Sequence, residues 1–318
     1  MAVGFLAAIA ICVPISDASA QEGSVQSTEA QEADPYNDEA VLGLRPTTVP
    51  PEGSVGGMGD INLYPRRIIV DRRQRVATVG LYNRVAATGE YEISVRDLVM
   101  TPEGGLVPTD APDASATLER LNPASDMLRW SPRRVRLAGN EAQTVRVMAR
   151  PPADLPDGEY RSHFTVISVP ETDEGLTIEQ ATGAGSGGEG IGVVIRPRFA
   201  ISIPVIVRIG ETTLDVGIEA ATVVETASGV AIRLRLTRAG TRSAYGDVVV
   251  SADGAQEPVA IARGVGIYPE VDYRDIELFV RPDLDPALLQ SGRALTISFV
   301  DDDVSPGETL ASQDILVP

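Results

Sequence analysis

The sequence predicts an all-β protein built of two β-sandwich domains, and three observations predict it. Beyond residue 60 apolar and polar side chains alternate with period two: Tyr91, Ile93 and Val95 against Glu92, Ser94 and Arg96, or Leu295, Ile297 and Phe299 against Thr296 and Ser298. Such alternation marks strands with one buried face. Long helix-period stretches are absent. The strand-like runs are short and separated by Gly, Pro and Asp turns, which is the pattern of sandwiches.

The elements follow in chain order. Phe5 to Ile15 is an apolar run, too short for a bilayer, which takes ~20 apolar residues. It ends in Ala18-Ser19-Ala20, the small-x-small pattern of a signal-peptide cleavage site, although no Lys or Arg precedes it. Residues 1–20 are therefore expected to be an export signal, against the alternative of an unstructured apolar tail. The only cysteine, Cys12, lies inside it, so the exported chain would have neither a disulfide nor a thiolate metal site. Residues 21–58 are acidic and rich in Gly, Pro, Ser and Gln. They hold too little apolar surface to offset the entropy of ordering and are expected to be disordered.

One sandwich is expected over 59–208, with strands near 60–71, 75–83, 90–99, 126–138, 142–150, 159–169 and 190–208. A second is expected over 209–318, with strands near 212–219, 229–237, 244–251, 256–263, 273–280, 293–300 and 313–317. Asp253-Gly254 reads as a hairpin turn in the second. The Gly-rich stretch 182–190 reads as a flexible tip in the first.

Composition excludes several functions. The formal net charge is −18, and every basic side chain is an arginine. Such a chain lacks the basic face that phosphate backbones need, so nucleic acid is not an expected partner. His163 is the only histidine and stands in an apolar strand, with no nucleophile motif to make it catalytic. Asp301-Asp302-Asp303 lacks the spaced ligands and glycine of a calcium loop and reads as a solvated turn. Gly187-Gly188-Glu189-Gly190 precedes no helix and is not a phosphate loop. No enzyme, cofactor, metal site or stable membrane insertion is expected.

The first sandwich resembles the N-terminal domain of periplasmic pilus-assembly (PapD-like) chaperones. The blocks that carry the resemblance are Leu63-Tyr64-Pro65-Arg66-Arg67-Ile68-Ile69-Val70, Asn83 after the second strand, Ser131-Pro132-Arg133-Arg134-Val135-Arg136-Leu137-Ala138-Gly139, Gln143-Thr144-Val145-Arg146-Val147, Leu155-Pro156-Asp157-Gly158-Glu159-Tyr160-Arg161-Ser162-His163-Phe164, and Ile203-Pro204-Val205-Ile206-Val207-Arg208. They occur in the family's order across 60–208, and the second domain has no such motif. The resemblance implies two immunoglobulin-like domains in an L shape, with a cleft that binds incomplete pilin folds. The chaperone's seventh strand fills the strand that the subunit lacks, a donor-strand form of β-augmentation.

The resemblance also assigns residues. Arg67 matches the first-strand arginine that anchors the subunit's terminal carboxylate, a task suited to a guanidinium fork. The family's second basic anchor falls on Pro204, so Arg198 or Arg196 would serve from another register, or Arg67 would act alone. Ile191, Val193 and Ile195 are the expected donor-strand side chains; the other reading is an ordinary half-buried strand. Arg208 matches a residue that pairs with carboxylates between the domains, with Glu159 as its expected partner. The expected protein is thus a periplasmic chaperone of pilus or coat-like subunits, with an outer-membrane usher left open as a further partner. The alternative is an immunoglobulin-like surface or adhesion module, which fold alone does not separate from it.

Overall fold

The computed structural model describes residues 49–56, 59–170 and 198–318, all within one compact unit that runs Pro46–Pro318. The expected signal, most of the acidic segment and the Gly-rich tip lie outside the described residues. So do Ile191, Val193, Ile195 and Arg196. What is described is all-β, arranged as two immunoglobulin-like sandwiches.

The first sandwich uses β1 (Val55–Gly56), β2 (Ile61–Tyr64), β3 (Ile68–Val70), β4 (Val76–Asn83), β5 (Gly89–Arg96), β6 (Leu98–Met100), β7 (Leu106–Pro108), β8 (Leu128–Ser131), β9 (Arg134–Leu137), β10 (Ala142–Ala149), β11 (Gly158–Val169) and β12 (Ala200–Ile209). One sheet has the order β1-β2-β4-β10-β8, the other β3-β12-β11-β5-β9. Leu63, Val79, Leu81, Val145, Val147, Phe164, Val205 and Val207 fill the space between them. Each comes from the apolar phase of a period-two strand, so sequence alternation becomes a core. β1 departs from expectation: Val55 and Gly56, at the end of the acidic segment, pair with Leu63 and Asn62.

Three features of this sandwich matter for function. First, the chain changes sheets at Tyr64-Pro65-Arg66-Arg67: β2 pairs antiparallel with β4, and β3 pairs parallel with β12. Arg66 and Arg67 sit in the crossover, outside both ladders. Second, Asn83 clasps the β4–β5 turn. Its buried amide donates to the carbonyls of Ala87 and Ala138 at 2.8 and 3.0 Å. Gly139 permits this closeness, since a Cβ there would lie 2.0 Å from the Ala86 carbonyl oxygen. Third, β11 splits its faces. Phe164 and Val166 enter the first core, while Glu159, Arg161 and His163 point toward the second sandwich and are buried.

The second sandwich comprises β13 (Leu214–Thr226), β14 (Gly229–Gly240), β15 (Ala244–Ala252), β16 (Ala260–Ile267), β17 (Tyr273–Phe279), β18 (Ala294–Asp301) and β19 (Thr309–Leu316). Its sheets are β13-β14-β17 and β16-β15-β18-β19. Ile232, Leu236, Val248, Val250, Ile297 and Phe299 form its core. Met100 and Ile206 of the first sandwich join this core, so apolar burial as well as polar contact holds the two together. β13 outruns its expected end because the register shifts between Glu219 and Thr222, where Ala220 takes φ 51°. That bulge interrupts the alternation by which the strand was read.

Candidate functional site

The crossover places Arg67 against the second sandwich. Its Nη2 donates to the Asp302 carbonyl and lies 2.8 Å from Asp302 Oδ1. The second contact is an ion pair without hydrogen-bond geometry, as Asp302 Oδ1 accepts no hydrogen bond. The guanidinium lies over the Tyr245 ring, 4.7 Å from its centroid. Arg67 and Asp302 keep 16% and 23% of their side-chain exposure, so the pair borders solvent.

A cavity of about 210 Å³ opens beside it, between the sandwiches. Arg66, Arg67 and Pro204 line it from the first sandwich, and Tyr245, Tyr268 and Arg274 from the second. Pro204 reaches this wall because β12 alternates: Ile203 and Val205 enter the first core, and Pro204 and Ile206 face the other way. The position where the resembled family carries a second basic residue is thus at the cavity, without a charge.

β12 also carries an unpaired edge. β11 pairs along it from Ala200 to Ile209, but β3 covers its other side only at Val205–Val207. Among the described residues no strand pairs with that side of Ala200 to Pro204. This edge leads from the outer end of the sheet to the cavity. Free N–H and C=O groups on an edge are a template for another strand.

The remaining expected residues are placed as follows. Arg198 sits just before β12, where Nη2 is 3.9 Å from Glu92 Oε2 and Nε donates to the Ser168 carbonyl at 3.3 Å. At about 3.3 Å per residue it is roughly 20 Å along the strand from Pro204, so the structure does not bring it to Arg67. Arg208 and Glu159 face each other across β12 and β11 at 3.2 Å. Both reach the second sandwich: Arg208 grips both oxygens of Asp303, and Glu159 accepts from the Ser243 amide at 3.1 Å and from its hydroxyl.

Further groups escaped sequence reading. Arg161 makes a bidentate pair with Glu270, both nearly devoid of exposure, and stacks 3.6 Å from the Tyr268 centroid. Burial opposes the charge on Arg161, but Glu270 more than offsets it and the guanidinium stays above its usual pKa. Asp301-Asp302-Asp303 is not a solvated turn. Asp301 is buried and accepts from the Asp303 and Ser305 amides, while Asp302 and Asp303 each hold an arginine. Among the described residues no His, Cys, Asp or Glu cluster could hold a metal ion, and no helix is long and apolar enough to cross a membrane. A signal for the buried pair existed in β11. Glu159 and Arg161 occupy the phase of a strand opposite to Tyr160, Ser162 and Phe164, and charged groups that another domain covers must be paired.

No family model and no curated protein matches the chain. Solved structures with a detectable likeness include the YadV chaperone (14% identity, TM-score 0.40, covering 81% of this chain and 100% of that one). The CupB2 chaperone of Pseudomonas aeruginosa shows 12% identity and a TM-score of 0.40 over 80% and 100%. The Salmonella enterica SafA pilin in complex with the SafB chaperone shows 16% and 0.38 over 82% and 98%.

Proposed function

We propose that the chain is a periplasmic chaperone that holds pilus or coat-like subunits, lending them a strand at the β12 edge and anchoring their terminal carboxylate in the cleft. The observation that carries this reading is the coincidence of two features. The edge of β12 that no described strand pairs ends at the cavity, and Arg67 stands there already engaged with a carboxylate. A strand added along this edge would bring its last residue to a guanidinium. Main-chain hydrogen bonds would supply affinity and the charge would supply register. The blocks resembling the pilus-assembly chaperones point the same way. An adhesion module would need neither the free edge nor the cation. Arg208, Glu159 and Asp303 serve this function indirectly, by holding the sandwiches that wall the cleft.

The test is co-expression in the periplasm with a secreted pilin-like subunit that lacks one strand of its own fold. The native chain is expected to keep such a subunit soluble and to co-purify with it. Arg67→Ala should abolish capture with an unchanged circular dichroism spectrum. Changing two of Ile191, Val193 and Ile195 to Ser should weaken it by orders of magnitude, since each buried aliphatic side chain contributes roughly 1.5–3 kcal/mol. Undiminished capture by both folded variants rejects the reading and favours the adhesion module.

A further inference from the structure

Of the arginines that line the cavity between the sandwiches two are partly buried, and only one of these two is matched. Arg67 faces Asp302. Arg274, on the opposite wall, spends its Nη1 on the Gly266 carbonyl at 2.8 Å. Its Nε is buried with no hydrogen-bond partner, and no carboxylate lies within ion-pair distance among the described residues. Burial pushes its pKa below the usual guanidinium value. A desolvated cation without a counter-charge is costly, and folded chains seldom keep one that nothing will pair.

The fold nonetheless builds a seat for it. Arg274 stands on β17, where it pairs with Leu236 of β14. The β6–β7 hairpin of the first sandwich passes directly against its side chain at Gly104. A Cβ on Gly104 would lie 2.2 Å from Arg274 Nε, and the φ of +82° there also disfavours any other residue. Asp275, next along β17, donates its amide to the Pro102 carbonyl at 3.2 Å in the same hairpin. Both sandwiches therefore fix this guanidinium at the cavity.

Tyr245 lines the same space, but its hydroxyl is buried and turned toward Tyr268, so it adds no free donor to the cavity. The cavity thus offers two partly buried cations, one matched and one unmatched, with no charge at Pro204. Arg66 also lines it but is exposed, so solvent screens it.

We propose that Arg274 is the second cation of this cleft, and that the C-terminal carboxylate of an extended peptide is held between Arg67 and Arg274. The incoming carboxylate replaces Asp302 on Arg67, which is an exchange of like for like. The bound carboxylate would then touch both sandwiches at once. This rests on the cleft reading above and adds to it the residue that completes the site.

The probe is a six-residue peptide of alternating valine and threonine, used as the free acid and as the C-terminal amide, with binding followed by NMR titration. The native chain should prefer the acid by about tenfold or more, the worth of a charged hydrogen bond. Arg274→Gln should remove that preference and Arg274→Lys should restore part of it. Gly104→Ala displaces the guanidinium without deleting it and should lower the preference too. A preference that Arg67→Gln abolishes but Arg274→Gln and Gly104→Ala leave intact overturns the role of Arg274 and spares the cleft. Equal binding of acid and amide by the native chain overturns both.

Discussion

Arg161 and Arg67 both leave the first sandwich to meet a carboxylate of the second, and they meet it differently. Arg161 and Glu270 retain 2% and 1% of their side-chain exposure, Arg67 and Asp302 16% and 23%. Arg161 engages both oxygens of its partner through two nitrogens, and the Glu270 carboxylate also accepts the Met100 amide at 3.0 Å. Arg67 makes its hydrogen bond to a carbonyl and only an ion pair to the carboxylate. The first pair has almost no exposure. The second opens onto a cavity. One contact fixes the sandwiches against each other, and the other is the one that the proposed function would have a ligand take over.

The largest expected effect breaks this comparison at its buried end. Glu270→Ala leaves Arg161 charged and enclosed, and should destabilise the chain by about 3–5 kcal/mol. Asp302→Ala removes an ion pair that keeps some exposure and has no hydrogen bond to its carboxylate, and should cost less, about 1–2 kcal/mol. Chemical denaturation of the two variants gives both numbers. Replacing the whole pair, as Arg161→Met with Glu270→Leu, should recover most of the loss, because an apolar pair carries no desolvation cost. Equal losses for Glu270→Ala and Asp302→Ala would show that the two contacts are of one kind.

His163 sharpens the same contrast through pH. It is fully buried beside Arg161, 6.0 Å from the Tyr268 ring, with neither ring nitrogen hydrogen-bonded. Burial, and then the Arg161 charge, lower its pKa to about 3. Above pH ~6.5 neither the folded nor the unfolded chain protonates it, and it has no effect on stability. Below that the unfolded chain takes up a proton that the folded chain refuses, so stability falls by about 1.4 kcal/mol per pH unit. Between pH 7 and pH 5 the loss should be about 2 kcal/mol. His163→Leu should remove this difference, since the chain has no other histidine. An unchanged slope in that variant would mean that His163 is hydrated rather than sealed with the Arg161 pair.

What was legible in the sequence follows the physics of each feature. Strands such as β5, β14 and β18 were readable because one face meets a core and the other meets water, which is what alternation records. The β6–β7 hairpin was missed because its strands are too short to alternate, and the length of β13 because a bulge breaks the period. The place of Arg67 beside the second sandwich was legible through the block around it, and the pairing of Arg208 with Glu159 through position. Asp302, Arg274 and Glu270 were not, since each acts across an interface that no local pattern encodes. Asp301-Asp302-Asp303 looked like a solvated turn because adjacent acids usually are one. Here the arginines of the other sandwich hold two of them, and local amides hold the third.

The smallest effect concerns Arg274, and its smallness is the point. Arg161→Met should be severe, because it strands Glu270 in the interior. Arg274→Met strands no carboxylate. It removes a partly buried cation with no counter-charge among the described residues, which favours the folded state, and it takes one donor from the Gly266 carbonyl, which costs about 1 kcal/mol. Methionine also keeps much of the volume beside Gly104. The net change should stay within about 1 kcal/mol of zero, with an unchanged denaturant slope, in contrast to the several kcal/mol lost at Arg161. A loss comparable to that of Arg161→Met would make Arg274 a structural strut, and the division of the interface into a sealed pair and an exchangeable site would fail at its open end.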